Sequence, residues 1–567
     1  MLKLSSFSGR SRLALAALAI SATVSSLGAK TEASSSVANF DDVVTRAIAS
    51  EQRLMQELKS RHPVVETYIQ ELKPDNELGA VPLRDFYFLG KLDLTKGTDV
   101  ASFIPAGSRM KNTFGIFTKT FTFWNDFFPN GFASRIIIDD QFDRNNYAFD
   151  YVRREFLGDV RCIVVDVKPV EPKSGRFSGR MWIEDHDYNI VRFNGSYGAL
   201  TKGYLHFDSW RVNVGPNLWL PAAVYSEENS YATGIRHTAI VRGQTRLWNY
   251  EKQNEQPESM FTNLEVDIQQ GVKDHSDEAG ENSPLEMQRL WQRQSEDNVI
   301  ERLQHAGLVS PAGEVDSILE TVLNNLLVTN NIDIEPSVRA RVMPTTPLES
   351  VSIGNTIVLS RGLVDVLPDE ACLAAVLAHE LSHILLGHTI STKFAFADRL
   401  TFEDSDALRE ATFGRTEGEE QAADKKALEI LKNSPYKDQL PKIGLFLRML
   451  STRANEMPHL IRPLMGDKMA TRHNDVRLSE LIEMSPELKT RDVQQIAALP
   501  LGSRVRMDPW NDRLYLLKAR NLALLTAKEK MAFEITPVML HLRRQDNANT
   551  TQGSAGETAT LTTSGQH

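Results

Sequence analysis

The spacing of apolar residues changes along this chain, and the change limits the folds open to it. Between Asp85 and Tyr250, short alternating and β-branched runs are punctuated by turn-forming residues, which is typical of antiparallel strands. From Pro284 onward, apolar residues recur at helical spacing. The sequence therefore predicts an α+β multidomain protein in which an antiparallel β domain is followed by a mainly α domain.

Ahead of the β-rich region, apolar residues recur at the spacing of a helix, and this pattern predicts a helical segment. It runs from Val43 to Leu58 and continues through Val65, Tyr68 and Leu72. The predicted regions are 1–29 (signal peptide), 30–84 (helical N-terminal segment), 85–253 (antiparallel β domain), 254–284 (acidic linker), 285–500 (helical domain), 501–545 (C-terminal mixed segment with β character) and 546–567 (disordered tail).

The N-terminus has the pattern of a secretory signal peptide. Basic residues precede an apolar run from Leu13 to about Leu27, and the small residues Gly28 and Ala29 follow. An uncleaved anchor helix is the alternative, because the run is near the lower length limit for spanning a membrane. We expect an extracytoplasmic protein, in the periplasm, that is soluble or makes peripheral membrane contact.

Charge and cysteine content exclude some classes of function. The formal net charge of −10 argues against nucleic acid as a partner, because phosphate binding needs a basic face. Cys162 and Cys372 are the only cysteines, so neither a disulfide framework nor a cysteine-built zinc site is expected. Two buried thiols are predicted, with a single bridge between them as the alternative.

The segment His379-Glu380-Leu381-Ser382-His383 carries the strongest chemical pattern. The predicted helix from Ala371 to about Gly387 is apolar, and its two histidines are four residues apart on one face. Both imidazoles could therefore bind one metal ion, with Glu380 placed to take a proton from an attacking water. Burying the two histidines and the glutamate would cost several kcal/mol unless they were paired or bound to a metal. A chance occurrence of this pattern in an apolar helix is therefore disfavoured.

A third metal ligand is expected, and Glu420 is the candidate. Glu420 and Asp424 are four residues apart on a second predicted helix, 418–432. Glu420 would bind the metal and Asp424 would accept the outer ring N–H of a ligand histidine. From spacing alone, a solvated acidic helix start is an equal alternative.

Together, the two motifs and His388 resemble the zinc metallopeptidase family that includes the CAAX prenyl protease, HtpX and BepA. The resemblance implies that residues 285–500 form a gluzincin-type metallopeptidase domain with one Zn²⁺ per chain. It also implies that Glu420 is the third ligand, Asp424 the orienting aspartate, and polypeptides the substrates. In contrast to the membrane members of the family, no later segment has about 18 uninterrupted apolar residues.

A later segment, 471–478, is similar to the family's His-Pro…Arg region, although Asn474 stands where proline is usual. The similarity implies that His473, together with Arg477, stabilises the oxyanion, or that His473 caps the zinc in a latent state. An ordinary surface histidine is the alternative. Glu349-Ser350-Val351 also departs from the family's Asn-Ala-hydrophobic triplet. The stretch 352–359 is expected to offer a strand edge to an extended peptide, or to be a plain hairpin.

Within the β domain, the run 181–193 resembles the hairpin of LolA-like and RseB-like periplasmic domains. Those are curved half-barrels that hold lipid chains or protein segments, whereas core tryptophans explain the composition without a ligand. Two functions stay open. One is an active endopeptidase of envelope quality control that acts on outer-membrane proteins or lipoproteins. The other is a latent metallopeptidase fold that serves as a binding or chaperone-like protein.

Overall fold

A computed structural model gives the fold of the chain. It describes residues 39–94, 99–102, 133–138, 141–171, 175–197, 206–232, 238–250, 284–396, 408, 413–462, 465–470, 476–489, 491–492, 494–502, 504–508, 510, 512–516 and 530–545. The predicted signal peptide, all but the last residue of the predicted linker, and the predicted tail lie outside these ranges, as does His473.

In the described ranges, the N-terminal unit consists of one α-helix, a short 3₁₀ helix (Ala133–Ile136) and a ten-stranded antiparallel sheet. The strand order is β3-β2-β1-β10-β9-β8-β7-β6-β5-β4, so the sheet is open, with β3 and β4 at its edges. The elements are α1 (Phe40–Lys59), β1 (Val64–Asp75), β2 (Gly79–Asp93), β3 (Asp99–Ser102), β4 (Tyr147–Leu157), β5 (Val160–Pro169), β6 (Phe177–Glu184), β7 (Ile190–Tyr197), β8 (His206–Gly215), β9 (Leu218–Ala232) and β10 (Thr238–Trp248).

A second unit follows, mainly helical, with a small mixed sheet of order β11-β13-β12-β14. Its elements are α2 (Pro284–His305), α3 (Glu314–Thr329), β11 (Arg339–Met343), β12 (Glu349–Ile353), β13 (Thr356–Ser360), α4 (Arg361–Val366), α5 (Glu370–Leu385), α6 (Glu417–Lys432), α7 (Leu440–Arg453), α8 (Pro458–Ile461), β14 (Asp467–Lys468), α9 (Glu480–Glu483), β15 (Val505–Met507) and β16 (Leu514–Leu516). The predicted fold class, antiparallel β followed by mainly α, is confirmed.

The prediction of helix beyond Pro63 is wrong. Residues 64–75 form strand β1, in which Val65 is paired with Gly90 of β2 and with Leu247 of β10. Residues 64–72 are buried on both faces of the sheet, so the apolar run carries no clear period of two. The β-branched side chains in this stretch favour a strand.

In the segment 501–545, which was predicted to have β character, β15 and β16 are strands, whereas residues 531–536 form only one bridge, between Leu501 and Ile535. The Gln70 amide takes the place of a neighbouring strand there. Its Nε2 donates to the Phe533 carbonyl (2.6 Å), and its Oε1 accepts from the Ile535 N–H (3.1 Å). A buried side chain distant in sequence therefore satisfies this backbone.

Both faces of the sheet are covered. On one face, α1 packs through residues such as Val43 and Ile48 against a core that includes Phe193. On the other face, Trp248 joins the core of the second unit, which includes Leu303. Both cysteines are free and buried, as predicted. None of the helices in the described ranges is long and apolar enough to span a membrane.

A buried ion pair fastens α1 to the sheet. Arg211 of β8 donates to both carboxylate oxygens of Glu51 at 2.6 and 2.8 Å, and both side chains are at most 2% exposed. Nη1 and Nη2 of Arg211 also donate to the carbonyls of Ile190 and Ile136, whereas its Nε is buried without a hydrogen-bond partner. Such a pair orients the elements that it joins, and breaking it leaves one uncompensated charge.

We expect Arg211→Met to lower the free energy of unfolding by about 3–5 kcal/mol, because Glu51 is then buried without its partner. Denaturant titration followed by circular dichroism measures this loss. Arg144→Met is the control, because its pair with Asp41 of α1 is exposed and the cost should stay below about 1 kcal/mol. Equal losses in the two variants would contradict the importance assigned to the buried pair.

Candidate metal centre and active site

Helix α5 carries two histidines and is defined at both ends by local sequence. At its start, the Asp369 side chain accepts the Cys372 N–H (3.0 Å), which is an N-cap. At its end, Gly387 has φ +70°, a conformation that glycine adopts without strain, and turns the chain out of the helix. His379 and His383 therefore lie on one buried face of a rigid helix.

Helix α6 carries the acidic candidates and packs against α5. Thr416 caps it, and the Glu419 side chain reaches back to the Thr416 N–H (2.9 Å), completing a capping box. This start fixes the rotation of the helix, so that Glu420 is buried and Asp424 lies one turn further on. Glu420 is 3% exposed, so the alternative, in which it belongs to a solvated acidic helix start, is wrong for this residue.

Three donor atoms converge at the spacing that a metal ion requires. His379 Nε2 lies 3.1 Å from His383 Nε2, and Glu420 Oε2 lies 3.2 and 3.5 Å from these two nitrogens. Ligands about 2.0–2.2 Å from a tetrahedral zinc ion are separated from one another by about 3.3–3.6 Å. His379, His383 and Glu420 therefore fit a single tetrahedral ion.

The outward-facing nitrogens of both imidazoles have neighbours as well. His379 Nδ1 lies 2.8 Å from Asp424 Oδ1, and His383 Nδ1 lies 2.8 Å from His388 Nδ1. The turn at Gly387 folds His388 back onto His383, and the His388 N–H donates to the His383 carbonyl. Partners of this kind fix the orientation of the ring and the tautomer that faces a metal.

A fourth acidic group borders the site. Asp467 of β14 is buried and offers an oxygen within 4.8 Å of all three donor atoms. Its Oδ2 accepts from Arg415 at 2.7 Å, while its Oδ1 is buried without a hydrogen-bond partner. Arg477 Nη2 lies 2.9 Å from Glu420 Oε2. A dication at the centre would offset the repulsion among these buried carboxylates.

The pKa values reflect this crowding. Burial disfavours the charged form of His379, but the carboxylates of Asp424 and Glu420 outweigh it and raise its pKa to about 10. Burial, followed by the charges of Glu380 and Glu420, raises the pKa of Asp467 well above its ordinary value. Both shifts indicate a site in which positive charge is favoured.

Glu380 sits beside the convergent donors with its two oxygens in different environments. Ser350 of β12 donates from Oγ to Glu380 Oε1 at 2.5 Å. Glu380 Oε2 is buried and has no hydrogen-bond partner. One oxygen is thus held in place while the other can accept a proton.

Of the residues named from the sequence, the structure brings together His379, Glu380, His383, Glu420 and Asp424, with His388 against His383 and Arg477 beside Glu420. His473 lies outside the described residues, so its predicted role stays a prediction. Spacing gave no indication of Asp467 or of its partner Arg415, because Asp467 lies on β14 and Arg415 lies on the chain just before α6. Ser350 was visible in the sequence only as a departure from the family triplet.

The expected strand edge at 352–359 is closed along β13, whereas Ser352 and Ile353 of β12 lie beyond the two residues that pair with β14, so their binding of an extended peptide stays a prediction. Ile353 and Thr356 close a hairpin, as the alternative held, and β13 lies inside the sheet between β11 and β12. On its other side, β12 pairs with β14 at Glu349 and Ser350. The parallel pairing of β11 with β13 removes the edge that the hairpin alone would have left.

The helical fold, the His–His–Glu donor set and the adjacent glutamate define a metallopeptidase-type centre. Residues 351–452 match the model of Peptidase family M48, and this match confirms the family resemblance carried by the motifs. The match covers β12 through most of α7, which includes every proposed metal ligand.

Solved structures are similar to the sheet region at low identity. They include an outer membrane lipoprotein-sorting protein domain from Vibrio parahaemolyticus (13% identity, 38% of this chain and 97% of that chain, TM-score 0.19). A LolA superfamily protein from Nitrosomonas europaea matches at 11% identity, with 37% and 96% coverage and a TM-score of 0.18. A DUF1329 family protein from Desulfovibrio piger matches at 11% identity, with 38% and 96% coverage and a TM-score of 0.19. No curated protein matches the chain.

Removing the acidic groups of α6 should weaken metal binding in two steps. We expect Glu420→Ala to abolish stoichiometric zinc binding, because one of three donors is lost. Asp424→Asn should weaken it about 10–100-fold, because only the orientation of His379 is loosened. Competition against a zinc chelator measures both. Glu429→Gln, an exposed change on the same helix, should bind zinc normally. Normal affinity in Glu420→Ala would refute the assigned donor set.

Loss of the Ser350 hydroxyl should slow peptide hydrolysis without changing zinc affinity. We expect Ser350→Ala to lower kcat about tenfold, because Glu380 loses the hydrogen bond that holds it, with KM nearly unchanged. Steady-state kinetics on a fluorogenic peptide, with zinc content measured in parallel, tests this. Ser352→Ala, which removes a hydroxyl bonded to Arg415 and not to Glu380, is the control. An unchanged kcat in Ser350→Ala would show that Glu380 does not need this contact.

Proposed function

We propose that this protein is a zinc-dependent endopeptidase that hydrolyses peptide bonds of protein substrates, with Glu380 as the general base. The observation that carries the proposal is the donor set at tetrahedral spacing, with a carboxylate oxygen of Glu380 buried beside it and free of other partners. The match to Peptidase family M48 supports a metallopeptidase on independent grounds.

Zinc is the proposed ion because the donor set is two imidazoles and one carboxylate. That combination leaves one position of a tetrahedral zinc site open to solvent or substrate. When bound, a zinc ion lowers the pKa of a coordinated water to about 7 and polarises the scissile carbonyl. One ion per chain is expected.

Glu380 is proposed to move the proton. Its unpartnered Oε2 accepts a proton from the attacking water and then delivers it to the leaving amine. Ser350 keeps Oε1 occupied, so the same oxygen performs both transfers. Arg477, near Glu420 in the described structure, and His473 are proposed to stabilise the oxyanion.

The proposed setting is the cell envelope. The N-terminal signal pattern supports an extracytoplasmic, periplasmic protein, and the sheet unit would present outer-membrane proteins or lipoproteins to the active site. Envelope protein quality control is the role that joins these features. It rests on the sequence pattern at residues 1–29 and on the presence of a separate β unit beside the catalytic domain.

Glu380→Gln provides the direct test. We expect it to lower casein-type proteolysis at least 10²-fold, because the base is lost, while zinc stoichiometry stays at one per chain. Chelator treatment should abolish the activity of the unaltered protein, and added zinc should restore it.

Glu429→Gln on the surface of α6 is the matched control and should retain full activity. Undiminished proteolysis in Glu380→Gln would refute the mechanism. Zinc binding without any proteolysis in the unaltered protein would favour instead the latent, binding or chaperone-like function.

A further inference from the structure

A cavity of about 610 Å³ lies between the sheet and the second unit, and it shares none of its lining with the metal centre. Its walls come from β8, β9 and β10, from the β15–β16 hairpin and from the chain 536–543. Ligand pockets in proteins commonly enclose about 300–1,000 Å³. The cavity is therefore large enough for a small organic molecule.

One part of the wall holds a buried arginine whose charge is poorly compensated. Arg361 is 3% exposed, and its Nε and Nη2 have no hydrogen-bond partner. Its nearest carboxylate oxygen, Asp365 Oδ2, lies 3.8 Å from Nη1, beyond hydrogen-bond distance. The Asp365 oxygens already accept the backbone N–H groups of Gly502, Arg504 and Val505. Arg361 thus lines the cavity, and its Nε and Nη2 are enclosed in the wall without partners.

Two further arginines share this part of the wall. Arg246 donates to the Pro344 carbonyl (2.8 Å) and lies 3.4 Å from Glu66, and Arg506 donates to the Gly502 carbonyl (2.7 Å). Burial, followed by the charge of Arg361, lowers the pKa of Arg246 to about 9. The positive charges of these three guanidinium groups repel one another, and a bound anion would reduce that repulsion.

Carboxylates on the wall belong to the β15–β16 turn. Asp508 accepts the Trp510 N–H (2.9 Å), so it is engaged within its own turn. Burial raises the pKa of Asp512 to about 6. Neither is an ion-pair partner of the three arginines. The rest of the lining is largely apolar and includes Trp248, Val538 and Leu540.

We propose that this cavity binds a small amphipathic anion, a carboxylate or phosphate group joined to an apolar chain. The anionic group would pair with the guanidinium charge of Arg361, assisted by Arg246 and Arg506. The chain would lie against the apolar wall formed by β10 and residues 538–542. This site is separate from the proposed peptidase centre and does not depend on it.

Four probes separate the parts of the proposal on the full chain, by isothermal titration below micelle-forming concentrations. Decanoate and decyl phosphate carry both chemistries, decanol lacks the charge, and inorganic phosphate lacks the chain. We expect saturable one-to-one binding of at least one of the first two, at least tenfold tighter than decanol or phosphate alone. The stronger of the two identifies the head group. Equal binding of decanol, or no saturable binding of either anion, would overturn the proposal.

Arg361→Met tests the residue. We expect anion binding to weaken at least tenfold and the melting temperature without ligand to stay equal or rise, because an uncompensated buried charge is removed. If Arg361 had only a structural role, Arg361→Met would lower the melting temperature. Retained binding, or a lower melting temperature or failure to fold, would therefore contradict the assignment.

Arg506→Met gives a second, independent reading and should weaken binding about tenfold. Arg153→Met removes the same charge from an exposed position on β4 and should leave binding unchanged. Unchanged binding in Arg506→Met, or an equal loss in Arg153→Met, would count against a built site. Zinc content should stay the same in all three variants, which keeps this test distinct from that of the peptidase.

Discussion

Two imidazoles and three carboxylates are buried around one point of the second unit, and the architecture there depends on holding them together. Helix α5 supplies His379, His383 and Glu380, α6 supplies Glu420, and β14 supplies Asp467. So many ionisable groups would repel one another or lose hydration at a high cost unless a cation sat among them. The caps of α5 and α6 and the pairing of β12 with β14 all fix positions around this centre.

The sheet unit is joined to this centre by buried polar contacts as well as by apolar packing. Glu66 of β1 accepts from the Thr346 N–H (2.5 Å) and Oγ1 (2.8 Å). Asp85 of β2 accepts from the backbone N–H groups of His459 and Leu460. Because these carboxylates are buried, separating the units would leave them unsatisfied. These contacts therefore fix the sheet and the second unit, which together form the walls of the cavity, relative to each other.

Local patterns in the sequence were enough to predict helix α5 with its two histidines and the partner helix α6. His379 and His383, and likewise Glu420 and Asp424, are one turn apart, so helical periodicity alone puts each pair on one face. Contacts set by strand register could not be predicted in this way. Ser350 reaches Glu380 only because β12 packs on α5, and Asp467 arrives only through its pairing opposite Ser350. Val65 shows a second limit, because a strand buried on both faces has no alternation to distinguish it from a helix.

Where the sheet unit can bind a ligand follows from what fills its two faces. The face under α1 is packed with aromatic rings, among them Phe177, Phe193 and Phe207, and is closed by the Glu51–Arg211 pair. A ligand there would have to displace α1 and break that pair. The opposite face already has open volume, and Arg361, which lines it, directly follows β13. Leu359 of β13 pairs with Ser350, which holds Glu380, so a single strand pairing separates the proposed anion site from the proposed general base.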